Sequence, residues 1–257
     1  MDTTISDDRQ RYADRSGHEG FLQPPAAPSA MEDTPIGPLS EGDSRLQRAL
    51  NIAIATLGLL LTWPLLLVIA AAIKVTSPGP IFYRQARIGM DRRATRDRSD
   101  PSYERKRVRD LGGVPFRIYK FRTMQLDAET ESGAVWARQD DPRITPVGRI
   151  LRQFRLDELP QLFNVIRGDM NLVGPRPERP AIFADMRGKI ENYSVRQRAR
   201  PGITGLAQIN QSYDSSVEDV RQKVRYDLEY IARRGLAEDL RIMVKTIPVV
   251  LFRRGGW

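Results

Sequence analysis

Apolar residues are spread unevenly along the chain. Residues 1–44 show no apolar period and hold prolines at positions 24, 25, 28, 35 and 38, a composition that predicts a disordered tail. The run Ile52–Ile73 (IAIATLGLLLTWPLLLVIAAAI) then continues for 22 residues without a charge. As a helix it would measure about 33 Å, close to the hydrocarbon thickness of a bilayer. A helix apolar on every side needs a far larger protein than this one to cover it, so the run predicts membrane insertion. Pro64, at its centre, removes the N–H that would bond to Leu60 and predicts a kink. Arg45 and Arg48 precede the run; Lys74, Arg84 and Arg87 follow it. A spanning helix usually carries its Lys/Arg on the cytoplasmic side only, so basic residues at both ends suit a bent segment that enters and leaves one leaflet. On these residues alone a kinked spanning helix fits equally well.

Beyond the apolar run, Ser77-Pro-Gly-Pro80 reads as a turn, and Ile81–Ile88 and Phe116–Thr123 read as two short strands. Residues 91–112 between them hold eight basic residues and almost nothing apolar, which predicts a solvated loop or a contact with anionic headgroups. From Thr145 onward the pattern is helical, broken at Pro160, Pro175–Pro180 and Pro201-Gly202. Asp239–Arg254 joins apolar residues to Arg241, Lys245, Arg253 and Arg254, as an interfacial amphipathic helix or a core helix would. The expected fold is α+β and mostly helical, with a short β-hairpin and amphipathic interfacial helices. Its parts are a tail (1–44), a membrane helix (45–76) and a globular domain (77–257) with the charged loop 91–112 inserted.

Charge sharpens this division. The 257 residues carry a net +9, yet the tail has nine acidic residues against three basic ones. With Arg45 and Arg48 set aside, the stretch 74–257 therefore carries +13. The tail lacks a basic start followed by an apolar core, so it does not read as a secretory signal. Absent cysteines exclude disulfides, thiol nucleophiles and Cys-based metal sites. The single histidine, His18, lies in the polar tail. Carboxylates, Lys, Arg and hydroxyls are what remain for chemistry.

The densest cluster of such groups is Arg152-Gln-Phe-Arg-Leu-Asp157-Glu158-Leu-Pro160-Gln161. Two adjacent carboxylates among Leu156, Leu159, Leu162 and Phe163 cannot both ionise cheaply unless a cation shares them, either Arg152 or a bound Mg²⁺. A carboxylate can also attack phosphorus to give an acyl phosphate. The plainer reading of an Asp–Glu pair before an apolar stretch is helix capping. Lys120 and Arg122 alternate in the second strand and so share a face. Arg143 follows Asp140-Asp141-Pro142, Arg176 stands between Pro175 and Pro177, and Arg200 opens another stiff turn. Guanidinium groups fixed at rigid turns suit phosphate oxygens, which points to a polyanionic substrate.

Six segments, in order, resemble the bacterial sugar transferases, monotopic polyprenyl-phosphate hexose-1-phosphate transferases. They are SPGPIFYRQARIG (77–89), YKFRTM (119–124), DDPRITPVGRILR (140–152), LDELPQLFNVIRGDMNLVGPRPE (156–178), RPGITGLAQIN (200–210) and DLEYI…DLRIMVKTIPVV (227–250). The resemblance implies that Asp157 attacks the sugar-linked phosphate of a UDP-sugar and expels UMP. Glu158 would assist through Mg²⁺ or a proton, and undecaprenyl phosphate would then take the sugar phosphate. It implies substrate phosphates near Lys120, Arg122, Arg152 and Arg176, and Mg²⁺ at Asp157 and Glu158; Arg143, Arg155, Pro175 and Pro177 are further candidate substrate-binding residues. It further implies a re-entrant helix broken at Pro64 with both ends cytoplasmic, at the bacterial inner membrane. Implied partners are membrane lipids, a second copy of the chain and downstream glycosyltransferases, in the first membrane step of exopolysaccharide or glycoconjugate synthesis. Galactose or glucose is the sugar the family leads one to expect.

The chain departs from the family at Gln47-Arg48, Asn51, Trp63, Asn171, Gln211-Ser212 and the long 91–112 insert, none of which touches the Asp–Glu pair. The competing reading is a catalytically silent, membrane-anchored adaptor that binds anionic lipid or a partner enzyme. Such an adaptor has no physical reason to keep Asp157, Glu158 and Arg176 together. Nucleic-acid binding, suggested by the +13 alone, lacks aromatic interleaving or a recognised motif.

Overall fold

In a computed structural model, residues 43–91, 112–126, 128, 141–211 and 216–251 are described. The expectations for the tail up to residue 42, and for nearly all of the 91–112 insert, lie outside them.

Ser44 opens the first helix, α1 (Arg45–Thr76), with a capping box: its hydroxyl accepts from Gln47 N while the Gln47 side chain accepts from Ser44 N. The helix is continuous through Pro64, so the expected break is not an interruption of the helix. A proline costs one backbone bond and crowds one carbonyl, which an α-helix absorbs without unwinding when its other bonds hold. α1 is long and apolar enough to cross a membrane. Leu57, Leu60, Leu61, Trp63, Leu67 and Val68 are exposed along its middle.

Both ends of α1 pack on the rest of the protein. Near its start, Ala55 is fully buried against Ile118, Val165 and Met170, and the Asn51 amide oxygen accepts from Leu172 N (2.7 Å). Arg48 donates to the carbonyls of Val165 and Ile166, in the last turn of another helix where a cation is favoured, and to that of Met170 just beyond it. Near its end, Ile69 and Ile73 pack with Phe121 and Leu151.

The expected hairpin forms from β1 (Phe82–Ile88) and β2 (Pro115–Phe121), antiparallel, with Phe82 opposite Phe121 and Ile88 opposite Pro115. Then come α2 (Pro146–Gln153), a 3-10 turn (Leu156–Glu158) and α3 (Gln161–Arg167). Gly148 lets α2 approach the exit of β2: a Cβ there would stand 2.1 Å from the Thr123 carbonyl oxygen. α3 ends at Gly168, whose φ of +95° is the left-handed stop that glycine adopts freely.

A second sheet joins β3 (Asn171–Val173) to β4 (Gly202–Thr204) in parallel. Between these strands lie α4 (Pro180–Met186) and a 3-10 segment, Tyr193–Arg198. The chain closes with α5 (Leu206–Asn210), α6 (Val217–Arg233) and α7 (Leu236–Leu251). α7 starts three residues before the expected Asp239. It buries Ile242 completely and exposes Leu240, Val244 and Ile247, a two-faced helix. The architecture is thus mostly helical, with short sheets and one long apolar helix.

Candidate active site

Asp157 and Glu158 stand in the 3-10 turn rather than inside an α-helix, because Arg155 just before them takes a left-handed conformation (φ 54°). For a residue with a Cβ that conformation costs of order 1–3 kcal/mol and persists only where the surroundings impose it. It turns the chain out of α2, whose expected continuation would have carried the pair elsewhere. Both carboxylates end up buried, each 7% exposed.

The two are held differently. Glu158 Oε1 accepts from Lys120 Nζ at 2.6 Å and from Arg176 Nη2 at 2.9 Å, and Arg155 Nη1 stands 3.9 Å from Oε2. Burial opposes the charge on Glu158, but these cations outweigh it and hold its carboxyl well below the usual carboxylate range. The nearest cation to Asp157 is Lys120, at 3.9 Å, and its carboxylate accepts no hydrogen bond among the described residues. Burial, reinforced by the neighbouring Glu158 charge, pushes Asp157 above its ordinary value against the pull of Lys120. Lys120 is itself lowered by burial, with the two carboxylates opposing that shift.

Three consecutive carbonyls fix the turn that carries Arg176. Pro175 O accepts from Gly202 N, Arg176 O from Arg196 Nη2, and Pro177 O from Arg87 Nη1. Arg196 is buried and reaches Asp227 (2.6 Å) and Glu178 (3.1 Å), and Lys223 also pairs with Glu178 (2.8 Å). These supporting groups escaped sequence reasoning. Their signal lay only in the matched segments LVGPRPE and DLEYI, which contain Glu178 and Asp227.

The other expected site residues divide. Arg152 lines the same cavity as the dyad and donates to Thr123 Oγ1 at 2.9 Å. Arg155 and Arg122 also line it. The Arg122 guanidinium, however, bonds the Ser77 and Pro78 carbonyls and Ser77 Oγ instead of the dyad. β2 ends at Phe121, so the strand alternation that was to align Arg122 with Lys120 does not extend to it. Arg143 forms a two-point pair with Asp141 (2.8 and 2.6 Å) and donates to Ala128 O; it is not among the residues lining the cavity.

The cavity encloses about 600 Å³. Seven Lys/Arg side chains line it, including Arg87 and Arg179, against the two carboxylates Asp157 and Glu158. That excess suits a ligand with several negative charges, such as a diphosphate. No group of three or more Asp, Glu, His or Cys stands together among the described residues. Two adjacent carboxylates still fit Mg²⁺, which is commonly held by one or two carboxylates together with water and substrate phosphates. Asp157 and Glu158 are the residues that would hold it.

A family model described as Bacterial sugar transferase matches residues 42–96 and 93–253. The chain is 41% identical over 212 residues to the UDP-glucose:undecaprenyl-phosphate glucose-1-phosphate transferase of Escherichia coli (strain K12), covering 82% of this chain and 41% of that protein. It is 42% identical over 220 residues to a protein of the same description from Caulobacter vibrioides, covering 84% of this chain and 74% of that one. The Exopolysaccharide production protein ExoY of Rhizobium meliloti is 34% identical over 262 residues, covering 96% of this chain and all of that protein. The chain thus spans less than half of the first relative and the full length of the third. With the match running through α1, the dyad and α7 alike, the chain belongs to the bacterial sugar transferase family.

Proposed function

We propose that this protein transfers a hexose 1-phosphate from a UDP-sugar to undecaprenyl phosphate, through an aspartyl-phosphosugar on Asp157. The observation that carries the reading is the unequal pair. Glu158 is locked as an anion by Lys120 and Arg176, while Asp157 beside it keeps a carboxylate that accepts no hydrogen bond from the described residues, in a cation-lined cavity. In the first step an Asp157 oxygen attacks the sugar-linked phosphorus, the bond to the UMP phosphate breaks, and UMP leaves with the electron pair. In the second, an oxygen of the acceptor phosphate attacks the same phosphorus. The Asp157 carboxylate is released and a lipid diphosphate sugar forms. Lys120, Arg152 and Arg176 neutralise the charge that builds on the transferring phosphate. Mg²⁺ held by Asp157 and Glu158 would add charge neutralisation at the diphosphate.

The enzyme works, in this reading, at the inner membrane with its domain on the cytoplasmic face, and α1 enters and leaves one leaflet. What supports that placement is that Arg48 and Asn51 at one end of α1, and Ile73 at the other, pack on the same domain. A helix crossing the bilayer would separate its two ends by about 30 Å of hydrocarbon. The product would begin an exopolysaccharide or glycoconjugate and pass to further glycosyltransferases.

The test incubates nanodisc-held protein with Mg²⁺, undecaprenyl phosphate and a panel of UDP-sugars, UDP-glucose and UDP-galactose first, and follows UMP. Release with one sugar, lost in Asp157→Asn, is the expected result. Silence across the panel would overturn the assignment.

A further inference from the structure

A second cavity of about 300 Å³ meets the first at Arg155 and Glu158, the two residues that line both. Its character is opposite. Leu156, Leu159 and Leu162 form one wall and Ile209, Val249 and Val250 the other. Besides Arg155 and Glu158 its polar side chains mostly serve the protein: Thr204 and Thr246 bond each other (2.8 Å), and the Gln208 amide nitrogen donates to Ile203 O, with Gln208 Oε1 left without a partner among the described residues. Leu162 also lies against α1, close enough that a Cβ at Gly58 would stand 3.2 Å from its Cδ1. One wall of the apolar cavity thus backs onto α1.

We propose that this cavity seats the phosphate-proximal isoprene units of the lipid acceptor, with Arg155 at the junction taking the acceptor phosphate. The inference rests on the transferase reading above. An amphiphile with an anionic head and a branched hydrocarbon tail needs cations beside an apolar slot, and here the two meet at one residue pair. About 300 Å³ is the lower limit of ordinary ligand pockets, too small for a long polyprenyl chain. Only the first units enter, and the rest of the chain leaves along the exposed face of α7 at Val244 and Ile247. The left-handed backbone at Arg155 gains a purpose, since it presents one guanidinium to both cavities.

Two measurements test this. In the first, Val249→Trp fills the slot, and steady-state kinetics are run against both substrates. A ping-pong enzyme should lose at least tenfold in kcat/KM for undecaprenyl phosphate while kcat/KM for the UDP-sugar stays within threefold. An equal fall in both, or no change in either, would overturn the assignment. In the second, wild-type protein is photolysed with a diazirine-bearing C15 isoprenyl phosphate. Label on peptides containing Leu159–Leu162 or Val249–Val250, competed by undecaprenyl phosphate and not by inorganic phosphate, is expected. Label confined to α1, or competed equally by inorganic phosphate, would sink the proposal. Wild type that releases no UMP with any sugar would instead defeat the transferase reading. Active wild type with a silent Val249→Trp effect defeats the cavity alone.

Discussion

At the dyad the two carboxylates are held unequally: two cations meet on Glu158 Oε1, while among the described residues the nearest cation to Asp157 is Lys120, at 3.9 Å. This contrast divides roles that the linear order Asp-Glu leaves open. It also gives opposite pH effects for two substitutions. Asp157 must be ionised to attack, and its pKa is raised, so the rate should fall on the acid side as pH drops through a value above the usual aspartate range. Lys120 pulls that pKa down and Glu158 pushes it up. Lys120→Met should therefore move the acid limb of kcat/KM for the UDP-sugar to higher pH. Glu158→Gln should move it to lower pH, although both variants lose rate. Limbs that move together, or not at all, would remove Asp157 from the first step.

At the scale of elements, α1 is both long and apolar enough to cross a membrane and a packed part of the domain. The substitution of the chain's own Asn51 tests the second part. Asn51→Leu strips the Leu172 N–H of its partner, a loss worth about 1–3 kcal/mol when the group is buried. Detergent-held protein should show a lower thermal midpoint accordingly. Topology tests the first part, because the chain has no native cysteine. Leu46→Cys and Val75→Cys both sit at exposed positions near the ends of α1. A membrane-impermeant maleimide should label both from the same side of sealed vesicles, and labelling from opposite sides would indicate a spanning helix.

The apolar run, the hairpin and the two-faced C-terminal helix were all legible in sequence, since each depends on local periodicity. The hairpin strands differ from the expected ranges by one or two residues. What stayed hidden depends on contacts between distant positions or on a single backbone angle. Nothing local marks Arg155 for a left-handed φ. Three-residue strands such as β3 and β4 are too short to carry a period. Arg122 was expected on a strand face with Lys120, and Arg143 at a stiff turn like Arg176, yet their guanidinium groups serve Ser77, Pro78 and Asp141. Residue type and local stiffness do not say which carbonyl or carboxylate lies within reach.

Across the whole molecule, the site depends on a buried ionic cluster well away from the dyad in sequence. Glu178, Arg196, Lys223 and Asp227 join the Arg176 turn, the Tyr193–Arg198 segment and α6. Breaking a buried pair by removing one partner typically costs about 3–5 kcal/mol, so Glu178→Gln should lower stability in a denaturant titration by that order. Burial raises the Glu178 carboxyl, but Lys223 and Arg196 more than offset it and hold the carboxyl well below the usual carboxylate range. Its stabilisation is thus fully present above the unfolded value of about 4.3 and is lost as pH falls toward the lower folded value. Glu178→Gln should flatten that acid-side loss, and an unchanged acid profile would exclude Glu178 as its source.

The reaction itself turns on whether phosphorus is ever bonded to Asp157. Protein purified in nanodiscs, mixed with the UDP-sugar that supports UMP release and quenched before any acceptor is added, can be weighed intact and then by peptide. A mass increase of one hexose phosphate on the peptide holding Asp157, absent in Asp157→Asn and removed by undecaprenyl phosphate, is the expected result. UMP release in step with product and no adduct at any quench time would contradict it, and would mean direct transfer between the two substrates.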